Sequence, residues 1–154
     1  MSCRREINLL VVHCSATRAD LDFSEADLER SHRKQGFNGI GYHFYIRKDG
    51  FIASTRPVEK PGAHARGHNA NSIGICYEGG LNAAGKPADT RTMWQKRSLR
   101  ALVNVLHMDY PHSRVVGHRD LSPDLDGDGI IEKHEWLKQC PCFDVANEFK
   151  NLEK

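Results

Sequence analysis

Two histidines and a cysteine, His13, His118 and Cys140, are of the types that could together hold a catalytic zinc ion. Such an ion takes three protein ligands of nitrogen and sulfur type and keeps a fourth position for water. His13 ends an apolar run expected to be a buried strand, and a strand end is where side chains reach a cleft. His118 ends a second short run, VVGH, and Cys140 stands just before a proline that opens a new segment. Taken singly, each has a plain structural reading as a hydrogen-bonded core histidine or a small buried thiol. The three are scattered along the chain, so spacing alone does not single them out.

Nine histidines and five cysteines leave other candidates. His64 and His68 are four apart, but Gly67 between them and Pro61-Gly62 before them argue against a helical metal pair. His43 follows Tyr42 in an expected strand, so the two side chains point to opposite faces. His32, His107, His112 and His134 read as surface residues on helices and loops. Cys142 is a nucleophile by type, yet no histidine–acid arrangement supports it, and a packed thiol is the better reading. Cys14 and Cys76 sit in apolar, strand-like surroundings and read as small buried hydrophobes.

A second metal signal is local. Asp124, Asp126 and Asp128 alternate, Gly129 follows, and Glu135 closes the twelve-residue pattern of a calcium loop. The Ile130 carbonyl adds a ligand, Glu132 contributes through a water, and Ile131 takes the apolar anchoring position. Leu121-Ser122-Pro123 precedes the loop where a helix usually stands, so a solvated acidic loop is the other reading. A stand-alone calcium sensor is disfavoured, because one loop without a flanking helix pair lacks the opening motion of sensors.

The elements that must position these groups follow from periodicity. Residues 7–13 (INLLVVH) are a near-continuous run of branched apolar side chains, as expected of a central strand covered on both faces. Ser24, Glu25 and Asp27 start an exposed helix over 25–35 that Gly36 ends. Residues 42–48 and 51–54 flank Asp49-Gly50 as a hairpin, and 56–71 form a long loop rich in proline, glycine and polar residues. Residues 73–78 predict another buried strand. Thr92 and Gln95 make a capping box opening a helix whose Leu99, Leu102, Val103, Leu106 and Tyr110 share one face, before Pro111. A short strand over 114–116 and two short helices, over 133–138 and 144–151, complete the chain. Strands interleaved with helices, plus one hairpin, predict a single α/β domain over 1–154 on a mixed sheet.

Composition bounds the function class. The formal net charge of +2, with no basic run, argues against a nucleic-acid partner. No apolar run approaches the roughly 20 residues that span a bilayer, so no membrane insertion is expected. The apolar stretch Ile7–Val12 is too short for the core of a signal peptide, and synthesis in the cytoplasm without an export signal is expected. An odd number of cysteines in such a chain points to free thiols or a metal ligand rather than a disulfide framework.

Four strings, VVHCSAT (11–17), GIGYHFYIRKDG (39–50), GAHARGHNANSIGIC (62–76) and KQCPCFDV (138–145), are similar to the phage-lysozyme type of N-acetylmuramoyl-L-alanine amidase. That family is related to the peptidoglycan recognition proteins. The resemblance runs through nearly the whole chain in the same order. It implies a mixed sheet flanked by helices with a zinc site in a surface groove. By position it implies His13, His118 and Cys140 as zinc ligands, Tyr42 and Lys138 as catalytic groups, and His64 as a residue lining the substrate groove. Zinc brings water to a pKa near 7 and polarises a carbonyl. Lys138 can stabilise an oxyanion, and either it or Tyr42 can move the proton to the departing amine. The bond implied joins the lactyl group of N-acetylmuramic acid to L-alanine. The calcium loop, at about 121–136, stands where simpler family members have a short connection, and its expected role is to order the segment carrying Lys138 and Cys140.

The expected partner is therefore peptidoglycan, and the expected working form is a monomer. Because peptidoglycan lies outside the membrane, the resemblance implies a phage or prophage lysis enzyme released by a membrane-permeabilising protein, or an effector delivered by a secretion machine. The alternative on the same fold is a module that binds peptidoglycan, or regulates another protein, without catalysis. Keeping both imidazoles and the thiol argues against it, since a pure binder has no use for the thiolate.

Overall fold

The computed structural model describes residues 5–122, Leu125, Ile131, Lys133 and 139–153. The calcium-loop residues Asp124, Asp126, Asp128, Ile130 and Glu135, the catalytic candidate Lys138, and, apart from Lys133, the helix expected over 133–138 lie outside the described residues. In chain order the elements are β1 (Leu9–Cys14), β2 (Thr17–Arg18), α1 (Glu25–Lys34), β3 (Phe44–Ile46), β4 (Ile52–Ser54), β5 (Ser72–Tyr77), β6 (Gly80–Leu81), α2 (Met93–Asp109), β7 (Arg114–Gly117) and α3 (Val145–Glu148). Short 3-10 turns cover Asn69–Asn71, His118–Leu121 and Lys150–Glu153.

The main sheet has five strands in the order β4-β3-β5-β1-β7, and every pair but the β3–β4 hairpin is parallel. The expected α/β domain on a mixed sheet is the observed one. β1 occupies an interior position with both faces covered, as its unbroken run of branched residues requires. The hairpin turns at Gly50, whose φ of +90° suits a residue without a side chain. β2 and β6 form a separate parallel pair that no sequence signal marks, because two-residue strands carry no readable alternation.

Alternation divides the core into two layers. Leu10 and Val12 of β1 meet Ile73, Ile75 and Tyr77 of β5 beneath α2 and the segment around α3. On the other face Tyr45 of β3 and Cys76 of β5 pack against Leu28 of α1 and Ile40. Leu99 and Val103 of α2 are fully buried, and truncating Leu99 to alanine costs about 2–5 kcal/mol. The Thr92–Gln95 capping box is present, and the buried Gln95 amide also donates to the carbonyls of Ile46 and Glu78, at 3.2 and 2.9 Å. Cap and sheet are thereby tied by one side chain.

α1 opens on its own capping box, Ser24 with Asp27, but it is not the fully exposed helix expected. Leu28 and His32 are buried. The sequence pattern of α1 is dominated by charge, and two inward residues at i and i+4 are too few to register as an amphipathic stripe.

Candidate metal centre and substrate groove

Parallel register brings the first two candidate ligands together. Val12 of β1 pairs with Gly117 of β7, so the residues that follow, His13 and His118, leave neighbouring strands at their carboxyl ends. Their ring centroids are 4.6 Å apart, close to the spacing of adjacent strands. The carboxyl ends of parallel strands are where open α/β sheets bind ligands.

Cys140 arrives from the C-terminal segment, and several contacts hold it. Its carbonyl accepts from Arg119 N at 2.9 Å, and its Sγ accepts from Cys14 N at 3.2 Å. The Tyr77 hydroxyl donates to the Pro141 carbonyl at 2.5 Å. Gly117 lets Pro141 approach, since a Cβ there would sit 2.8 Å from Pro141 Cδ. Farther along, Arg91, its side chain 2% exposed, pairs with Asp89 and with Glu148 of α3 and lies over the Phe143 ring. Both carboxylates keep contact with water, which puts the cost of losing Arg91 below the roughly 3–5 kcal/mol of a fully buried pair.

The potential ligand atoms of His13, His118 and Cys140 lie within 4.8 Å of one another, the one such trio among the described residues. Two imidazoles and a sulfur form a donor set that fits zinc. The remaining described cysteines behave as thiols. Its hydrogen bond with Cys140, together with burial, pushes Cys14 up to about 12. A hydrogen bond with Cys14 and burial raise Cys142, and burial raises Cys76.

Above the trio lies a groove of about 700 Å³ whose wall includes Tyr42, His64, His68, His118 and Cys140, with His13 buried behind it. The Tyr42 ring packs on His13 at 4.8 Å and on His32 at 5.2 Å. Burial, reinforced by the nearby sulfurs of Cys76, Cys140 and Cys14, holds its hydroxyl above the usual tyrosine range, so it is a donor at neutral pH. His43 is turned away, as alternation requires: its Nδ1 accepts from Gly74 N at 3.0 Å and its Nε2 meets the Lys60 carbonyl at 2.8 Å.

His64 lines the groove but is only 9% exposed. Burial, with the charges of His43 and His118, pushes its imidazole down to about 3, so it is neutral. His32, expected at the surface, is a correction: it is buried, lines the groove, and accepts from Gly41 N at Nδ1, 2.9 Å away. The fold of the 37–41 segment onto α1 covers it, and nothing local to α1 reveals that. Arg66 and Arg119 add positive charge to the groove wall, and neither stands out in the sequence from other surface cations. Among the described residues, no helix is long and apolar enough to cross a membrane.

Fold and trio together define an α/β protein with a His–His–Cys cluster beneath an open groove at the carboxyl ends of parallel strands. Residues 4–141 match the N-acetylmuramoyl-L-alanine amidase family, and the chain belongs to that family. It is 34% identical to the endolysin of Klebsiella phage KP32 and 33% identical to that of Escherichia phage T7, each over 150 residues that cover 97% of this chain and 90% of the relative. Among solved structures it is similar to the endolysin N-acetylmuramoyl-L-alanine amidase LysCS of Clostridium intestinale, with a TM-score of 0.72 at 30% identity over 99% of this chain and 84% of that one.

Proposed function

We propose that this protein is a zinc-dependent amidase that hydrolyses the bond between the lactyl group of N-acetylmuramic acid and L-alanine in peptidoglycan. The observation that carries the proposal is the convergence of His13, His118 and Cys140 within 4.8 Å beside an open groove, in a chain of the amidase family. Membership of that family and the likeness to phage endolysins along 97% of the chain support peptidoglycan as the substrate.

His13, His118 and Cys140 would hold the ion. Zinc supplies, when bound, a Lewis acid that polarises the scissile carbonyl and makes water nucleophilic near neutral pH. Tyr42, with its hydroxyl proton retained, donates to the developing oxyanion or delivers that proton to the departing amine. Lys138, two residues before Cys140 in sequence, supplies a second positive charge for the oxyanion. Arg66 and Arg119 on the groove wall complement the carboxylates of an acidic stem peptide. The calcium loop belongs to the same proposal: Asp124, Asp126, Asp128, Ile130 and Glu135 bind calcium and so order the connection between His118 and Cys140.

The test combines metal content with mass spectrometry of digested peptidoglycan. The expected result is one zinc per chain and new N-terminal L-alanine, with both lost in Cys140→Ser. Purified protein that binds the cell wall yet releases no alanine would establish the non-catalytic binding module instead.

A further inference from the structure

His64 occupies a cage that is more elaborate than a groove wall needs. Its ring lies between two glycines: a Cβ on Gly74 would sit 2.7 Å from His64 Cγ, and one on Gly62 would sit 2.4 Å from His64 Cδ2. The Asn69 side chain accepts from the backbone N–H of both His64 and Ala65, each at 2.9 Å, which pins the loop that carries the ring. Both ring nitrogens are engaged inside the protein. His64 Nδ1 is 2.9 Å from His13 Nε2, and His64 Nε2 is 3.2 Å from Oγ of the fully buried Ser72. The His13 and His64 rings meet edge to face, with an interplanar angle of 90°.

From this geometry we infer that His64 is a positioning residue, which accepts the His13 Nε2–H and so presents His13 Nδ1 to the metal, while Ser72 accepts from His64 Nε2–H. The inference rests on the metal reading above. The direction follows from proton counting. A histidine ligand must offer a lone pair, and because Nε2 faces His64 Nδ1 at 2.9 Å, it is Nδ1 that offers one to the metal. His13 then carries its proton on Nε2 and donates it to His64 Nδ1. His64, having one proton, carries it on Nε2 and donates to Ser72. The reverse order would place a proton on His13 Nδ1 and remove the lone pair. With both nitrogens spent in this chain of donors, His64 offers a substrate no polar atom, which separates it from a substrate-binding role.

Zinc affinity by chelator competition, the visible spectrum of the cobalt-substituted protein, and kcat and KM on peptidoglycan fragments test the inference in three variants. His64→Leu removes the acceptor and should weaken zinc binding 10–100-fold, change the cobalt spectrum, and lower kcat with little change in KM. His64→Asn, whose amide oxygen stands near the place of Nδ1, should recover most of the affinity. Ser72→Ala should weaken it by a smaller factor. Unchanged zinc affinity and cobalt spectrum in His64→Leu, with a raised KM, would overturn the inference in favour of substrate contact. Should His64→Leu fail to fold, Ser72→Ala decides, and an unaltered affinity and spectrum there overturn it equally. A wild-type protein that takes up no zinc overturns the metal reading first, and the two failures are thereby distinct.

Discussion

Tyr42 and Cys140 line the same groove and differ in what holds them. The Tyr42 hydroxyl keeps its proton because burial and neighbouring sulfurs disfavour the phenolate, whereas the Cys140 sulfur accepts from the Cys14 N–H at 3.2 Å. One is a proton donor and the other a candidate ligand. Tyr42→Phe keeps the ring that packs on His13 and removes only the hydroxyl. It should lower kcat by about 10²- to 10⁴-fold with zinc content unchanged. Steady-state kinetics beside metal analysis check this, and a kcat equal to wild type removes Tyr42 from the proton transfer.

At the level of elements, the trio depends on two different kinds of construction. His13 and His118 are delivered by β1 and β7, whose register is locked by a shared core, so their mutual distance is set by the sheet. Cys140 depends on a segment held by Tyr77, Gly117 and the Arg91 ion pairs, and it follows the acidic loop directly in sequence. If that loop binds calcium, metal removal acts on Cys140 rather than on the sheet. Exchange into calcium-free buffer with zinc kept saturating should lower the thermal midpoint and the activity together. Calorimetry and turnover that do not move on calcium removal end the calcium proposal.

For the whole molecule, two buried imidazoles couple stability to pH. Burial lowers His32 from its ordinary value. Burial also lowers His43, against the opposing hydrogen bond to Lys60. Each already accepts a backbone N–H at Nδ1, from Gly41 and from Gly74, which suits only the neutral ring. In the unfolded chain both take up a proton near pH 6.5. A depressed folded-state value means that the stabilisation is present above that pH and is lost as the pH falls below it. The expected slope is up to about 1.4 kcal/mol per pH unit for each histidine. Urea unfolding between pH 7 and pH 5 measures it. His32→Asn keeps an acceptor for the Gly41 N–H but cannot take up the proton, so its profile should be flatter. An identical profile would exclude His32 as a source of the pH dependence.

What the sequence alone determined is local or carried by resemblance. Branched runs marked β1 and β5, Asp49-Gly50 marked the hairpin, and the Thr92–Gln95 pair marked the start of α2, because each signal lies within a few residues of its effect. The trio was named from motifs, and nothing in the spacing of His13, His118 and Cys140 required them to meet. Tertiary structure decided that they do, through the Val12–Gly117 register. It also decided that His32 is covered and that His64 reaches His13 across 51 residues of chain. Helical and strand periodicity report which side of an element faces inward. They do not report which ring waits on the other side, since that depends on register and close packing between segments remote in sequence.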